Sequence, residues 1–205
     1  MKRKPKFITL EGVDGAGKST HINFIKNYLG DKEIDYTFTR EPGGTALGER
    51  LREILLNDAM HPETESLLMF AARYEHIVKV INPNLSNGVS VISDRFTDAT
   101  YAYQSGGKYV EKAKITILKD WVHKDLIPDL TILFDLPIEV SMDRLSKVGD
   151  LDKFEREEKS FHERIRNTYL ELAKNEQGRF KVINSNQNIN IIQKEIYLIL
   201  DEIFT

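Results

Sequence analysis

The chain has 205 residues, 40% of them hydrophobic and 30% charged, and its formal net charge is -3. These values suit a single domain with a sizeable core, and the balanced charge argues against nucleic acid as a partner. The absence of cysteine excludes disulfides, thiolate nucleophiles and Cys-ligated zinc, and it is typical of a cytoplasmic protein. The lack of a long apolar run argues against a membrane partner.

Five short runs rich in β-branched and aromatic residues alternate along the chain with longer segments of helical period. The predicted strands cover residues 6–10, 35–39, 89–93, 130–134 and 180–183. Several of them are apolar on both faces, as a parallel sheet covered by helices requires. The alternation therefore predicts βαβ units and an α/β fold in one domain spanning residues 1–205.

Apolar residues recur at helical spacing in the segments between these strands. One stripe consists of Leu47, Leu51, Ile54 and Leu55. A longer stripe consists of Leu67, Phe70, Tyr74, Ile77 and Ile81. Both predict amphipathic helices, and we expect Pro83 to end the second one.

The five histidines are His21, His61, His76, His123 and His162. They show no spacing of the HExxH type, so they predict no metal site. We expect them at surface or helix-capping positions.

The stretch GVDGAGKST, residues 12–20, stands between the first predicted strand and an amphipathic segment. It matches the phosphate-binding P-loop pattern in full, in the strand–turn–helix setting that this motif needs. Its glycines permit positive φ angles, so that backbone N–H groups and the helix N-terminus can face a phosphate. Lys18 would reach the terminal phosphates, and the Ser19 hydroxyl would bind magnesium. The residues predicted to hold ATP are Gly12, Val13, Asp14, Gly15, Ala16, Gly17, Lys18, Ser19 and Thr20.

Two further strand ends carry arginine. The second predicted strand leads into a turn that contains Arg40, and the third leads into Asp94 and Arg95. Open α/β folds bind ligands at this carboxyl edge of the sheet. Asp94 would be the magnesium-side carboxylate, with Asp135 at the end of the fourth strand as the competing acid, and Arg95 would clamp a phosphate. A base-reading NKxD sequence is absent, which argues against a GTPase switch.

Phe70 and Arg73 suggest a nucleobase site because they lie three residues apart on one helical face. An aromatic plane and a forked donor could hold a base by stacking and hydrogen bonding, although a phenylalanine at this spacing also fits an ordinary core position. Residues 97–104, TDATYAYQ, supply hydroxyls, phenols and an amide near the same sheet edge, or form an ordinary polar helix start. The residues by themselves leave these alternatives open.

Taken together, these stretches resemble the thymidylate kinase family. The matching segments, in the family's order and spacing, are FITLEGVDGAGKST, TFTREPGG, LLMFAARYEH, VISDRFTDATYAYQ, PDLTILFDL and LDKFEREEKSFHERI. The resemblance implies a P-loop NTPase three-layer sandwich, with a five-stranded parallel sheet and a short lid at about residues 144–158. It also implies that a homodimer uses ATP and magnesium to phosphorylate dTMP to dTDP.

The resemblance also assigns roles at the acceptor site. Asp14 would face the sugar of dTMP, Arg40 and Arg95 would bind its phosphate, and Tyr103 would pack beneath the deoxyribose. Pro42 would border the thymine methyl group, and Phe70 would stack on the base. The residues expected to contact the base by hydrogen bonding or beside it are Arg73, Thr100 and Gln104.

The segment 147–158 carries many charges and few apolar residues, which predicts an exposed, movable loop. The resemblance identifies this loop as the lid. Gly15 stands where some family members have a P-loop arginine, so the missing cation is expected from the lid. Lys147 or Lys153 would reach the transferring phosphoryl group, and Arg144 would contact ATP at the hinge. The expected catalytic residues are Lys18, Arg95, Arg144, Lys147 and Lys153.

Two other interpretations stay open. Another P-loop nucleotide kinase or a deoxynucleoside kinase would share the phosphate loop. A deoxynucleoside kinase would use a carboxylate base beside a hydroxyl acceptor and would not need Arg40 and Arg95 to converge on a phosphate. A nucleotide-dependent switch would bind nucleotide tightly and show no acceptor-dependent turnover.

Overall fold

Residues 4–147 and 151–205 are described by a computed structural model. The strands are β1 (Phe7–Glu11), β2 (Tyr36–Arg40), β3 (Ser90–Asp94), β4 (Leu130–Asp135) and β5 (Phe180–Asn184). They form one parallel sheet in the order β2-β3-β1-β4-β5. Each predicted strand is confirmed to within one residue at either end. The α/β fold and the five-stranded parallel sheet are therefore confirmed.

Helices cover the sheet. They are α1 (Lys18–Asp31), α2 (Ala46–Asn57), α3 (Pro62–His76), α4 (Asn82–Ser86), α5 (Thr97–Thr100), α6 (Lys112–His123), α7 (Ile138–Leu145), α8 (Lys159–Asn175) and α9 (Ile189–Phe204). Two segments with wider π-type turns, Ile77–Ile81 and Tyr101–Gly107, follow α3 and α5. All five residues of β1 are buried, as expected for a central strand with both faces covered.

The parallel register brings the strand ends that carry the predicted functional residues to one edge of the sheet. Leu10 of β1 and Arg40 of β2 both lie opposite Asp94 of β3. The P-loop follows β1 directly, so it opens at this same edge. The fold thus places the predicted phosphate loop beside the predicted arginines.

The predicted helical stripe that begins at Leu67 does not pack as one face. Phe70, Ile77 and Ile81 are buried, whereas Leu67 and Tyr74 are each 54% exposed. The prediction that Pro83 ends the helix is also wrong, because α4 continues through it. The wider turn explains this continuation: the N–H of Asn82 donates to the carbonyl of Ile77, five residues earlier, and Pro83, which has no N–H, lies in the first turn of the next helix.

The expectation of exposed or capping histidines is wrong for four of the five, all of which lie in described residues. His76 contacts Glu41 and Thr39, and His123 contacts Thr97 and the carbonyl of Leu126. His21 stacks on Phe134 with ring centroids 5.7 Å apart, and His162 packs edge-on against Phe161. Hydrogen bonds compensate for the burial of His76 and His123, and aromatic rings pack against His21 and His162. Spacing along the chain does not reveal such partners.

The lid predicted at about residues 144–158 connects α7 to α8. Residues 148–150 of it lie outside the described part of the chain. In residues 4–147 and 151–205, no helix combines the length and apolar character that crossing a bilayer would require.

A buried ion pair ties the residue just before β5 to α5, the short helix that precedes the wide turn Tyr101–Gly107. Arg179 donates two hydrogen bonds to Asp98, at 2.7 and 2.8 Å, and a third to the hydroxyl of Thr131. Asp98 is almost completely buried. Removing one partner of such a pair leaves an uncompensated charge in the interior.

We therefore expect Asp98→Asn to lower the free energy of unfolding by about 3 kcal/mol, measured by urea denaturation. The matched control is Glu202→Gln, which breaks the exposed pair between Glu202 and Lys181 of β5 and should cost less than about 1 kcal/mol. Equal losses for the two variants would contradict the structural importance of the buried pair.

Candidate active site

The P-loop has the tight geometry that its sequence predicts. Gly12 has φ 143°, and a Cβ atom there would lie 2.5 Å from the carbonyl oxygen of Phe134. Gly15 has φ 72°, and its Cβ would lie 2.9 Å from the carbonyl oxygen of Ser141. Because no side chain fits at either position, the backbone can turn closely and expose its N–H groups to an anion.

A cleft of about 730 Å³ opens over this loop, a size typical of nucleotide-sized ligands. Lys18 lines the cleft and is itself buried, with its Nζ donating to the carbonyl oxygens of Gly12 and Val13 at 3.1 and 3.3 Å. Burial, assisted by the neighbouring Arg95, lowers the pKa of Lys18. The ammonium is thus poorly solvated, which strengthens its attraction to phosphate.

Asp94 and the exposed Ser19 also line this cleft, which we call the phosphate cleft because it lies over the P-loop. Among the described residues, the Asp94 Oδ1 atom is buried and has no hydrogen-bond partner. The competing acid, Asp135, accepts two hydrogen bonds from Arg166 at 2.7 and 2.9 Å, so its charge is already balanced. A carboxylate and a hydroxyl that line one cleft are oxygen donors of the kind that magnesium prefers, so these residues fit that ion.

A second, narrower cavity of about 90 Å³ adjoins the cleft. Its apolar walls include Leu56, Met69, Phe96 and Ala99. Its polar lining includes Arg73, Thr100, Tyr103 and Gln104. Apolar walls with a few aimed polar groups are typical of a site for a flat heterocycle.

A buried network holds Arg73 in this cavity. Its Nε donates to Glu41 at 2.6 Å, and its Nη2 donates to the Thr100 hydroxyl at 3.0 Å. His76 binds the other oxygen of Glu41 at 2.8 Å and the hydroxyl of Thr39 at 2.7 Å. Although burial alone would raise the pKa of Glu41, Arg73 and His76 hold it below its usual range.

One donor of the Arg73 guanidinium lacks a partner among the described residues. In the described part of the chain, Nη1 of this 2% exposed side chain has no hydrogen-bond partner. Leaving a buried charged donor unpaired is costly, so an acceptor that reaches Nη1 would complete the hydrogen bonding of Arg73. A carbonyl oxygen on a heterocycle supplies such an acceptor.

Arg95 forms a second, half-buried network at the mouth of the cavity. Its Nη2 donates to Asp14 at 2.5 Å and to the Tyr103 hydroxyl at 2.9 Å, and that hydroxyl donates to the other oxygen of Asp14 at 2.6 Å. Its Nη1 donates to the hydroxyl of Tyr169 at 3.2 Å. Burial would raise the pKa of Asp14, but Arg95 and Lys18 keep it below its ordinary value.

Glu11, which sequence reasoning missed, fixes the turn that carries Arg95. Arg95 has φ 71°, an uncommon conformation for a residue with a side chain. The Glu11 carboxylate accepts the N–H of Phe96 and the hydroxyl of Tyr169, each at 2.7 Å. Burial, reinforced by Asp98, raises the pKa of Glu11 to about 8.

The two cavities meet at a shared wall formed by Asp14, Glu41, Arg52 and Arg95. Arg52 was not identified from the sequence, since its position in α2 reads as an ordinary polar helix face. Its Nη1 donates to the carbonyl oxygen of Pro42 at 3.0 Å, and its side chain borders both cavities. A group spanning the junction would therefore meet two arginines.

Other predicted substrate residues differ in where they lie. Pro42 lines the narrow cavity, whereas Arg40 lines the phosphate cleft and pairs with Glu49 at 2.8 Å. Gln104 lines the narrow cavity and donates to Glu65 at 2.9 Å. The ring of Phe70 is 2% exposed and lies beneath the guanidinium of Arg73, 4.7 Å from it, so in this arrangement it supports Arg73 instead of facing the cavity.

The three cations of the predicted lid also lie apart from one another. Arg144 lines the phosphate cleft and donates to the carbonyl oxygens of Gly15 and Ser185 at 3.1 and 3.2 Å. Lys147 is exposed and pairs with Asp143 at 2.6 Å. Lys153 pairs with Glu65 at 2.9 Å, at the narrow cavity instead of the phosphate cleft. Of the three, the structure brings Arg144 to the P-loop.

Residues 10–196 match the family model described as thymidylate kinase. The chain is 54% identical to the thymidylate kinase of Methylobacillus flagellatus over 197 residues, which cover 96% of this chain and 97% of that relative. It is 50% identical to the thymidylate kinase of Thiobacillus denitrificans over 203 residues, covering 99% and 100%. The crystal structure of thymidylate kinase from Ehrlichia chaffeensis matches it with a TM-score of 0.77 and 33% identity, covering 96% of this chain and 98% of that one.

Proposed function

The chain belongs to the thymidylate kinase family, and we propose that it transfers the γ-phosphoryl group of ATP to dTMP, producing dTDP and ADP. One observation carries the proposal: a phosphate cleft over a P-loop joins a narrow cavity with an unpaired arginine donor, and two arginines line the junction. A nucleoside monophosphate in the narrow cavity would direct its phosphate toward the P-loop. We expect the reaction in the cytoplasm, where both substrates occur.

The proposed chemistry needs no protein nucleophile. An oxygen of the acceptor phosphate attacks the γ-phosphorus in line, the bond to the β–γ bridging oxygen breaks, and ADP leaves. Both reactants are anionic, so the main task of the side chains is to offset their repulsion and the charge of the transition state. Lys18 and Arg144 would act on the ATP side, and Arg52 and Arg95 would act on the acceptor phosphate.

Magnesium fits the proposed reaction as a cofactor. Ser19 and Asp94 would hold it, because both residues line the phosphate cleft and Asp135, the competing acid, is already paired with Arg166. When bound, the ion would neutralise part of the phosphate charge.

The proposed selection of thymine rests on Arg73 and its surroundings. The free Nη1 donor would bind a carbonyl oxygen of the base, and Gln104 would contribute its amide beside it. The apolar wall that includes Met69 would accept the methyl group and ring faces. Tyr103 and Asp14 would border the sugar, since the two are hydrogen-bonded to each other at the mouth of the cavity.

The test of the proposal is acceptor-dependent release of ADP from ATP and magnesium. We expect turnover with dTMP, far slower turnover with the purine and cytosine monophosphates, and none with thymidine, which lacks the phosphate that Arg52 and Arg95 would bind. Turnover with thymidine would point to a deoxynucleoside kinase. Slow hydrolysis that no acceptor accelerates would point to a nucleotide-dependent switch, and either result would overturn the proposal.

A single substitution tests the base site within that assay. Arg73→Lys keeps a positive charge beside Glu41 but lacks the forked donor, so the KM for dTMP should rise by about one to two powers of ten, equivalent to about 1.5–3 kcal/mol. The KM for ATP should change by less than about twofold. A similar rise in both constants would indicate general damage to the fold and would contradict the assignment of Arg73 to the base.

We further propose that the active form is a homodimer built on the faces of α3 and α6. Leu67, Tyr74 and Val78 form an exposed apolar stripe along α3 and the wide turn after it. Ile117 and Trp121, one turn apart on the neighbouring α6, extend it, and Trp121 is 81% exposed. A second copy of this chain would bury these side chains in a two-fold symmetric contact.

Trp121→Glu should therefore convert the dimer to a monomer in size-exclusion chromatography with light scattering. The control is Ile191→Glu, which adds the same charge at an exposed apolar position on α9 and should leave the mass unchanged. A monomeric parent protein, or a Trp121→Glu variant that stays dimeric, would exclude this face as the interface.

A further inference from the structure

Glu65 is a buried carboxylate with three side-chain donors drawn from two different parts of the molecule. It lies in the first turn of α3 and is 0% exposed. One of its oxygens accepts from the amide of Gln104 at 2.9 Å. Its other oxygen lies 2.9 Å from the ammonium groups of both Lys108 and Lys153. We call these four side chains the Glu65 cluster.

Lys153 brings the lid segment to this cluster. It also donates to the carbonyl oxygen of Asp58, just beyond α2, at 2.9 Å. Lys153 therefore connects the lid to α2 and α3, which both belong to the body of the fold. A lysine that is about four-fifths buried and makes two such contacts is held more firmly than a surface ion pair.

Phe154, the next residue along the lid, forms a wall of the narrow cavity. Its ring packs edge-on against Tyr103 with centroids 5.8 Å apart. The ammonium groups of Lys108 and Lys153 lie 4.5 and 5.2 Å from the centre of the same ring. The cluster that anchors Lys153 thereby also fixes the aromatic wall next to it.

We propose that Lys153 and Glu65 are positioning residues for the acceptor base. Their contact forms a latch that holds Phe154, the lid residue in the cavity wall, against the narrow cavity. This inference rests on the proposed function for the identity of the acceptor. The latch acts at both sides of the cavity: Glu65 orients the Gln104 amide through one oxygen and retains Phe154 through Lys153 on the other. Lys153 thus contributes to acceptor binding. Arg144, in contrast, is the predicted lid cation that lines the phosphate cleft.

A catalytic cation and a latch have opposite kinetic signatures. Loss of a cation that contacts the transferring group lowers kcat and spares acceptor affinity. Loss of the latch weakens acceptor binding and spares kcat at saturating dTMP, because the phosphate cleft is unchanged. The comparison of KM and kcat for one variant therefore decides between the two roles.

The variant is Lys153→Met, which keeps the apolar stem and removes the charge. We expect the KM for dTMP to rise about tenfold, while kcat and the KM for ATP each change by less than about twofold. Lys153→Arg should restore most of the affinity. The control is Lys159→Met, which removes an exposed lysine just beyond the lid that pairs with Glu139 and Glu163.

A double-mutant cycle tests whether the effect passes through Glu65. Glu65→Gln should raise the KM for dTMP at least as much as Lys153→Met, and adding Lys153→Met to it should produce no further rise. Glu63→Gln, which alters an exposed carboxylate in the same helical turn, is the control. Independent, additive effects of the two substitutions would overturn the proposed coupling.

Hydrogen exchange supplies a readout that does not depend on dTMP. The backbone amides of residues 151–158 should exchange faster in Lys153→Met than in the parent protein, with unchanged exchange in the sheet. Failure of the parent protein to phosphorylate dTMP would refute the proposed function without bearing on this measurement. Unchanged exchange, unchanged KM, or a fall in kcat with KM preserved would each overturn the latch.

Discussion

The ion pair between Arg95 and Asp14 is the contact on which the arrangement of the site depends. It joins the end of β3 to the P-loop, and the hydroxyls of Tyr103 and Tyr169 attach the wide turn and α8 to the same guanidinium. Glu11 completes the network by holding the turn in which Arg95 lies at φ 71°. Because separating these half-buried, hydrogen-bonded charges would break several contacts at once, the network restrains these segments relative to one another.

The arginines of the two cavities differ in whether a carboxylate of the protein holds them in place. Arg73 is balanced by Glu41, and Arg95 is balanced by Asp14, so each is rigid before any substrate arrives. Arg52 donates to a carbonyl oxygen, and burial together with the nearby Arg40 lowers its pKa. A cation whose charge is compensated only by a carbonyl oxygen is stabilised strongly when a phosphate dianion binds beside it. The junction of the two cavities is thus preorganised for phosphate, and the charge of Arg52 stays poorly compensated until an anion binds.

The fold and the tight turn of the glycine-rich loop could be predicted because their signals are local. Strand runs, the glycine spacing around Lys18 and the strand-end position of Arg95 are each contained in a few consecutive residues. Glu65, Arg52 and the buried His76 could not be predicted, since their roles arise from partners that are distant along the chain. The exposed Tyr74 was misjudged because helical spacing identifies an apolar face without revealing whether the core or another subunit covers it.

The wide turn Tyr101–Gly107 explains how two adjacent residues serve one cavity. Successive side chains diverge less around a π-type turn than around an α-helix, because more residues complete each turn. Tyr103 can therefore reach Asp14 at the mouth of the cavity while its neighbour Gln104 reaches Glu65 at the inner end. The two carboxylates belong to different anchoring systems, the P-loop for Asp14 and the lid contact of Lys153 for Glu65. Through this one turn, contacts with the P-loop and with Lys153 both shape the narrow cavity.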